Sequence, residues 1–171
     1  MPYTVSQVRG SNPDVLKTAS ADAENSARRV DAQIDQGRAQ LGKLAESWTG
    51  TAADAAQKEY GERLADQTDF SAKLREVKDT LSTWGSKLVD KRSELDAAVN
   101  DAEVWWNVAD DGSVTPGVWL SWWAELSTVN ALIVEGNRIE VENNIKLVLA
   151  QFEADDVAAG RAIRKIGWAL T

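Results

Sequence analysis

The sequence predicts an all-α protein: a bundle of long antiparallel helices, with a helical hairpin over about 12–102, a small β-hairpin near 104–115 and a C-terminal helical part over about 117–170. Three observations lead there. Apolar residues recur at spacings of three and four along most of the chain, which places them on one helix face. Only three Pro occur in 171 residues, and none between about 51 and 102. One short stretch near 104–115 abandons the helical spacing for alternation around Asp-Gly, a hairpin signal. No low-complexity tract or long linker divides the chain, so residues 1–171 read as one domain.

The first helix is announced by Ser11-Asn12-Pro13-Asp14, which offers a cap, a Pro near the first position and an early acid. Leu16, Ala23, Val30, Gly37 and Leu44 then recur every seven residues, with Ala27, Ile34, Leu41 and Trp48 as the companion row. This is the stripe of a long helix packed in a bundle. It stops at Trp48-Thr49-Gly50, where Gly50 is free to adopt the left-handed conformation that ends helices. Thr51-Ala52-Ala53-Asp54 reads as a capping box for the second helix, with Asp in the place of Glu or Gln. That helix carries Tyr60, Phe70, Leu74, Val77, Leu81, Trp84, Leu88, Leu95 and Ala98 on its stripe. At ~1.5 Å per residue each helix reaches on the order of 50 Å, and a tight turn between them makes a hairpin.

Trp106-Asn107-Val108 alternates, Ala109-Asp110-Asp111-Gly112 turns, and Ser113-Val114-Thr115 returns. The helical period resumes after Pro116-Gly117 with Leu126, Val129, Ile133, Val141, Ile145, Val148, Phe152, Ala159, Ile163 and Ile166. Asn137 interrupts this stripe as a polar residue at the bundle edge. A break near Gly136 or Gly160 would divide the part into two helices; without one it is a single helix.

Composition narrows the function. There is no His and no Cys, so the usual zinc ligands, Ser-His-Asp and Cys-His catalysis, and disulfides are all excluded. The net charge is −8, which repels phosphate and argues against nucleic acid. The acidity is uneven: residues 1–100 hold 14 basic and 16 acidic residues, residues 101–171 hold 5 and 11, and six of the eight Trp lie in the second part. No apolar run of about 18 residues occurs, so no spanning helix and no stable membrane insertion are expected. Met1–Arg9 has no apolar core and does not read as a Sec signal peptide, so an exported chain would need another route. No nucleophile elbow, phosphate loop or dinucleotide fingerprint is present. Asp110 and Asp111 are explained by the turn, and Asp155 and Asp156 face different ways on a helix. No catalytic residue, metal site or cofactor is expected.

Trp48-Thr49-Gly50, set between two long helices and followed by Ala52-Ala53-Asp54-Ala55-Ala56, resembles the WXG family of type VII secretion substrates, helical hairpins with Trp-x-Gly at the bend. Val8–Asp14, Trp48–Ala56, Ala109–Pro116 and Ala154–Ile163, in that order, are similar to the N-terminal helical domain that precedes α/β-hydrolase or toxin domains in larger actinobacterial secretion-associated proteins. The chain is then either such a domain or a free-standing version of it. The resemblance implies export to the cell envelope or medium, no catalysis, and as partner the type VII machinery or a WXG-like chain. It also implies a second signal, Tyr-x-x-x-Asp/Glu. Tyr60 fails this pattern at Leu64, and Trp106 to Asp110 fits only with Trp and falls in the β-hairpin. Phe152 to Asp156 fits with Phe replacing Tyr. A three-residue gap puts Phe152 and Asp156 one turn apart on one face, where a receptor could read both; alternatively Phe152 is core and Asp156 a solvated charge.

Trp119, Trp122 and Trp123 crowd about one turn, and Trp105 and Trp106 point to opposite sides of an extended segment. Either they form a local aromatic core or they present a patch for a partner, and an exposed patch would favour a homodimer. Three or four helices could otherwise cover their own stripes in a monomer. Two rival readings stay open: an intracellular structural or regulatory bundle in which Trp-x-Gly is only a turn, and a membrane-active, toxin-like helical protein.

Overall fold

The three-and-four spacing becomes helix almost throughout. The computed structural model describes residues 2–168. It contains α1 (Val5–Gly10), α2 (Asp14–Ser47), α3 (Thr51–Glu103), β1 (Trp106–Val108), β2 (Val114–Pro116), α4 (Val118–Glu125) and α5 (Thr128–Trp168). The protein is all-α with one two-stranded antiparallel sheet, in which Trp106 pairs with Pro116 and Val108 with Val114. The predicted end of the last helix at Ala169 and Leu170 lies outside the described residues. By their contacts the described residues form two compact units, one of residues 2–14 and 84–160, the other of residues 15–83 and 161–168.

In the second of these units, α2 and the first part of α3 pair as an antiparallel hairpin, and their partners run in reverse order. The Ser20 hydroxyl donates to the Lys78 carbonyl at 2.8 Å. Ser71 donates to the Asp31 carboxylate at 2.6 Å, and Arg75 closes the clasp on the other Asp31 oxygen. These hydrogen bonds hold the Asp31 carboxyl below the usual carboxylate range, Arg75 contributing most and Ser71 next. Gly37 is buried because α3 crosses it closely: a Cβ there would lie 2.8 Å from Leu64 Cδ2. Ala23, Ala27 and Ile34 are buried as the stripe requires, as are Ala53 and Leu64 on α3, whereas Leu44, Trp48, Tyr60 and Phe70 are exposed.

The other unit is built on Leu88, Leu95 and Val99 of α3 and Ile145, Val148, Leu149 and Phe152 of α5. Each such side chain contributes about 1.5–3 kcal/mol by leaving water. A helix that the periodicity did not indicate, α1, adds Val5 and Val8 to this core. It starts at a capping box in which Thr4 receives the Gln7 N–H and Gln7 receives the Thr4 N–H. The Asp110 carboxylate then accepts from the Ser6 backbone N–H at 2.7 Å and from the Ser6 hydroxyl at 3.0 Å, which lowers its pKa. Arg9 ties the helix to α3 through Asp96 and Asn100. The β-hairpin turn uses Gly112 at φ +81°, and Asp111 receives the Ser113 N–H across it.

Several expectations need correcting. Ser11 caps the end of α1, donating with its hydroxyl to the Val8 carbonyl, and α2 begins three residues later. Thr51 is the first residue of α3 and not its cap; the residue before it, Gly50, accepts the Asp54 N–H. The C-terminal part is two helices, but the break lies at Leu126-Ser127, and α5 runs unbroken through Gly136 and Gly160. Ser127 supplies the reason, because its hydroxyl caps the Asn130 N–H at 3.1 Å. The opening positions Leu126, Val129 and Ile133 of the predicted stripe are exposed, and Val134 is buried instead.

Candidate functional site

The residues singled out for function fall into three places. At the bend, α2 ends with Ser47, the Trp48 N–H still donates to the Leu44 carbonyl, and Gly50 turns the chain at φ +112°. Nothing lies within 4 Å of where a Gly50 side chain would project, so the glycine serves the backbone and not a close contact. Trp48 is 41% exposed. It offers a half-open indole beside the exposed Leu44.

Phe152 and Asp156 lie one turn apart on α5, as their spacing demands, but they are not a free surface pair. Phe152 is only 3% exposed. The Tyr3 ring meets it edge-on, with centroids 5.5 Å apart. The Tyr3 hydroxyl donates to Asp156 at 2.8 Å, and this bond, together with burial and the negative charge nearby, raises the tyrosine pKa. The neighbouring Asp155 pairs with Lys87. Tyr3 was not foreseen. The Thr4-to-Gln7 capping box was the available signal that the N-terminal segment is ordered.

The third place is aromatic. Trp106 is buried and Trp105 is 57% exposed, and both line one groove. The Gly117 N–H donates to the Trp105 carbonyl at 2.9 Å, which pins the start of α4 beside the residue that leads into β1. A Cβ on Gly117 would sit 2.6 Å from that carbonyl oxygen, so only glycine allows this approach. On α4 Trp119 and Trp122 are 71% and 56% exposed, stacked edge-to-face at 6.4 Å. The five indoles are thus divided: Trp105, Trp119 and Trp122 face water, Trp123 is half-buried and Trp106 is buried. Two adjoining grooves run through the cluster. One, of about 390 Å³, is walled by Trp105, Trp119, Leu120, Trp122 and Trp123. The other, of about 500 Å³, is lined by Trp105, Trp106, Leu120, Trp123, Asn137, Glu140 and Val141. Leu120 and Glu140 were not anticipated there.

Among the described residues no group of His, Cys, Asp and Glu is disposed to hold a metal, and no helix is long and apolar enough to cross a membrane. Asp110 and Asp111 bind Ser6 and Ser113 and so act as turn and anchor residues.

Residues 11–91 fit the family model WXG100, proteins of 100 residues with WXG. The matched segment holds α2, the bend and most of α3. No curated protein and no solved structure matches the chain.

Proposed function

We propose that the chain, whose residues 11–91 match the WXG100 family model, is a type VII secretion-associated protein: a non-catalytic exported substrate, or the targeting part of one, recognised through its bend. The observation that carries the reading is the family match over the segment that centres on Trp48-Thr49-Gly50. The local chemistry is consistent with it. Trp48 is half exposed at a turn whose shape depends on Gly50. An amphipathic helix end with uncovered apolar residues is a surface that another helix can take up. WXG100 proteins typically form dimers and work with type VII machinery. The exposed Leu44, Trp48, Tyr60 and Phe70 are where a WXG-like partner or the export ATPase would dock.

In this reading Phe152 and Asp156 supply the second half of the address. They do so as part of a cluster with Tyr3, which brings a tyrosine to the acid from a distant part of the chain. A receptor then meets Tyr3 and Asp156, with Phe152 as the support beneath.

The test is export from an actinobacterial host with a working type VII system, compared with the same host lacking its ATPase. The tagged chain is followed in culture filtrate and envelope, with a cytosolic protein as the lysis marker. We expect ATPase-dependent export of the wild type. Trp48→Ala should fold normally, since its side chain is already half in water, and should stay inside the cell. Retention of the folded wild type in both hosts, or full export of Trp48→Ala, would overturn the reading.

A further inference from the structure

We propose that the tryptophan grooves formed by β1, α4 and α5 are a docking site for a cationic, amphipathic segment of another protein, which sets a Lys or Arg among the indoles beside Glu140. The site goes beyond the export reading and does not depend on it.

The first support is exposed apolar area. α4 has no buried residue, and Val118, Trp119 and Trp122 face water. Leu126 and Val129, at the junction with α5, are equally bare. A contiguous apolar surface of this kind on a folded protein marks a place where something binds. Trp is also the residue most enriched where binding energy concentrates. The walls are already in place, because the Gly117–Trp105 bond and the Asn130 side-chain bond to the Trp123 carbonyl fix both ends of α4. Little ordering is left for the partner to impose.

The second support is charge, and it selects the occupant. Residues 93–137 contain eight Asp or Glu and no Lys or Arg; Glu94, Asp96 and Glu135 are paired with Lys91, Arg9 and Arg138, and the other five make no ion pair among the described residues. Arg138, the next cation, is taken by Glu135 and Glu142. Glu140 lines the larger groove and makes no ion pair or hydrogen bond among the described residues. An indole face attracts a cation within about 6 Å of its centre, and a carboxylate alongside strengthens the attraction. This chain already uses the pairing once, at Lys87 over Trp84, 4.8 Å from the ring centre. An anionic lipid surface would be repelled by this charge. A second copy would bring the same acidic patch and the same overall charge of −8.

The probe is a fluorescein-labelled 18-residue peptide of Leu and Lys at helical spacing, titrated with the full chain at about 150 mM salt and followed by anisotropy, with Leu/Gln and Leu/Glu peptides of the same pattern alongside. We expect saturable one-to-one binding of the Leu/Lys peptide, at least about tenfold weaker binding of Leu/Gln, and none of Leu/Glu. Trp105→Ala should weaken the Leu/Lys peptide about tenfold and Glu140→Gln about two- to fivefold. Glu62→Gln, an exposed acid on the hairpin, should change nothing. Circular dichroism confirms that each variant is folded; these substitutions sit at exposed positions. The proposal is overturned by absence of saturable binding, by equal binding of Leu/Glu, by an unchanged affinity in Trp105→Ala, or by the same loss in Glu62→Gln. Sedimentation of a dimer that Trp119→Ala dissolves would assign the site to a second copy. A blue shift of Trp emission on phosphatidylglycerol vesicles would assign it to lipid. Either of these results also overturns the proposal.

Discussion

Phe152→Ala separates two roles that the spacing of Phe152 and Asp156 leaves superposed. Phe152 is buried in a core with Ile145, Val148 and Leu149, and its ring receives the edge of Tyr3. Truncating a buried Phe costs roughly 3–5 kcal/mol through lost transfer energy and the cavity left behind. The aromatic contact places the cost in the upper part of that range, since such a pair contributes about 0.5–1.5 kcal/mol beyond its area. A chain of this length loses about 2–4 °C of Tm per kcal/mol, so a fall of roughly 8–20 °C follows. Tyr3→Phe keeps the ring and removes only the hydroxyl that donates to Asp156. A hydrogen bond to a charged acceptor contributes about 1.5–3 kcal/mol when desolvated and about 1 kcal/mol at a half-exposed carboxylate, so the fall is about 2–4 °C. Thermal melts at 222 nm and pH 7 compare the three proteins. A Phe152→Ala melt within about 2 °C of wild type would refute the packing argument, because no buried Phe is lost so cheaply. The comparison also decides how export data are read. Loss of export in Phe152→Ala says little if the unit has melted, whereas loss in Tyr3→Phe and Asp156→Asn, both folded, identifies the cluster as part of the address.

Two further outcomes follow from the hairpin. Gly50→Ala meets no neighbour but must hold φ near +112°, so it should lower stability by about 1–2 kcal/mol through backbone strain alone; an unchanged melt would show that the bend relaxes to another conformation. Asp31 has its folded-state pKa depressed by Arg75 and Ser71. Its contribution is therefore present above the ordinary carboxylate value of about 3.9 and is lost as pH falls through the depressed folded value. Urea titrations should show Asp31→Asn clearly weaker than wild type at neutral pH, with the gap closing in strong acid, and a gap that stays constant across that range would refute the clasp.

Much of the fold was legible because long helices write their packing as a period. Ala23, Ala27, Ile34 and Gly37 are buried where the seven-residue repeat puts them, and Asp111-Gly112 turns where the alternation asks for a turn. Periodicity describes one element at a time, and it says which face is apolar but not what covers it. Leu44 and Phe70 keep the same period and remain 41% and 45% exposed. Phe152 keeps the same period and is sealed, because Tyr3 closes over it from 149 positions earlier in the chain. A six-residue helix such as α1 has too few turns to show a period at all; only its cap betrays it. The break at Leu126-Ser127 was hidden for a related reason. Gly136 and Gly160 looked like the weak points, yet one Gly costs a packed helix only about 1 kcal/mol. A Ser that captures the Asn130 N–H offers the backbone a competing partner and starts a new helix. That restart gives α4 its separate existence. Eight residues with five large apolar side chains and no buried position could not persist as a free helix. It is held by its two ends, Gly117 against Trp105 and Trp123 against Asn130, while the indoles between them stay in water. The docking proposed above would complete a helix that the fold anchors by its termini and leaves with its apolar face open.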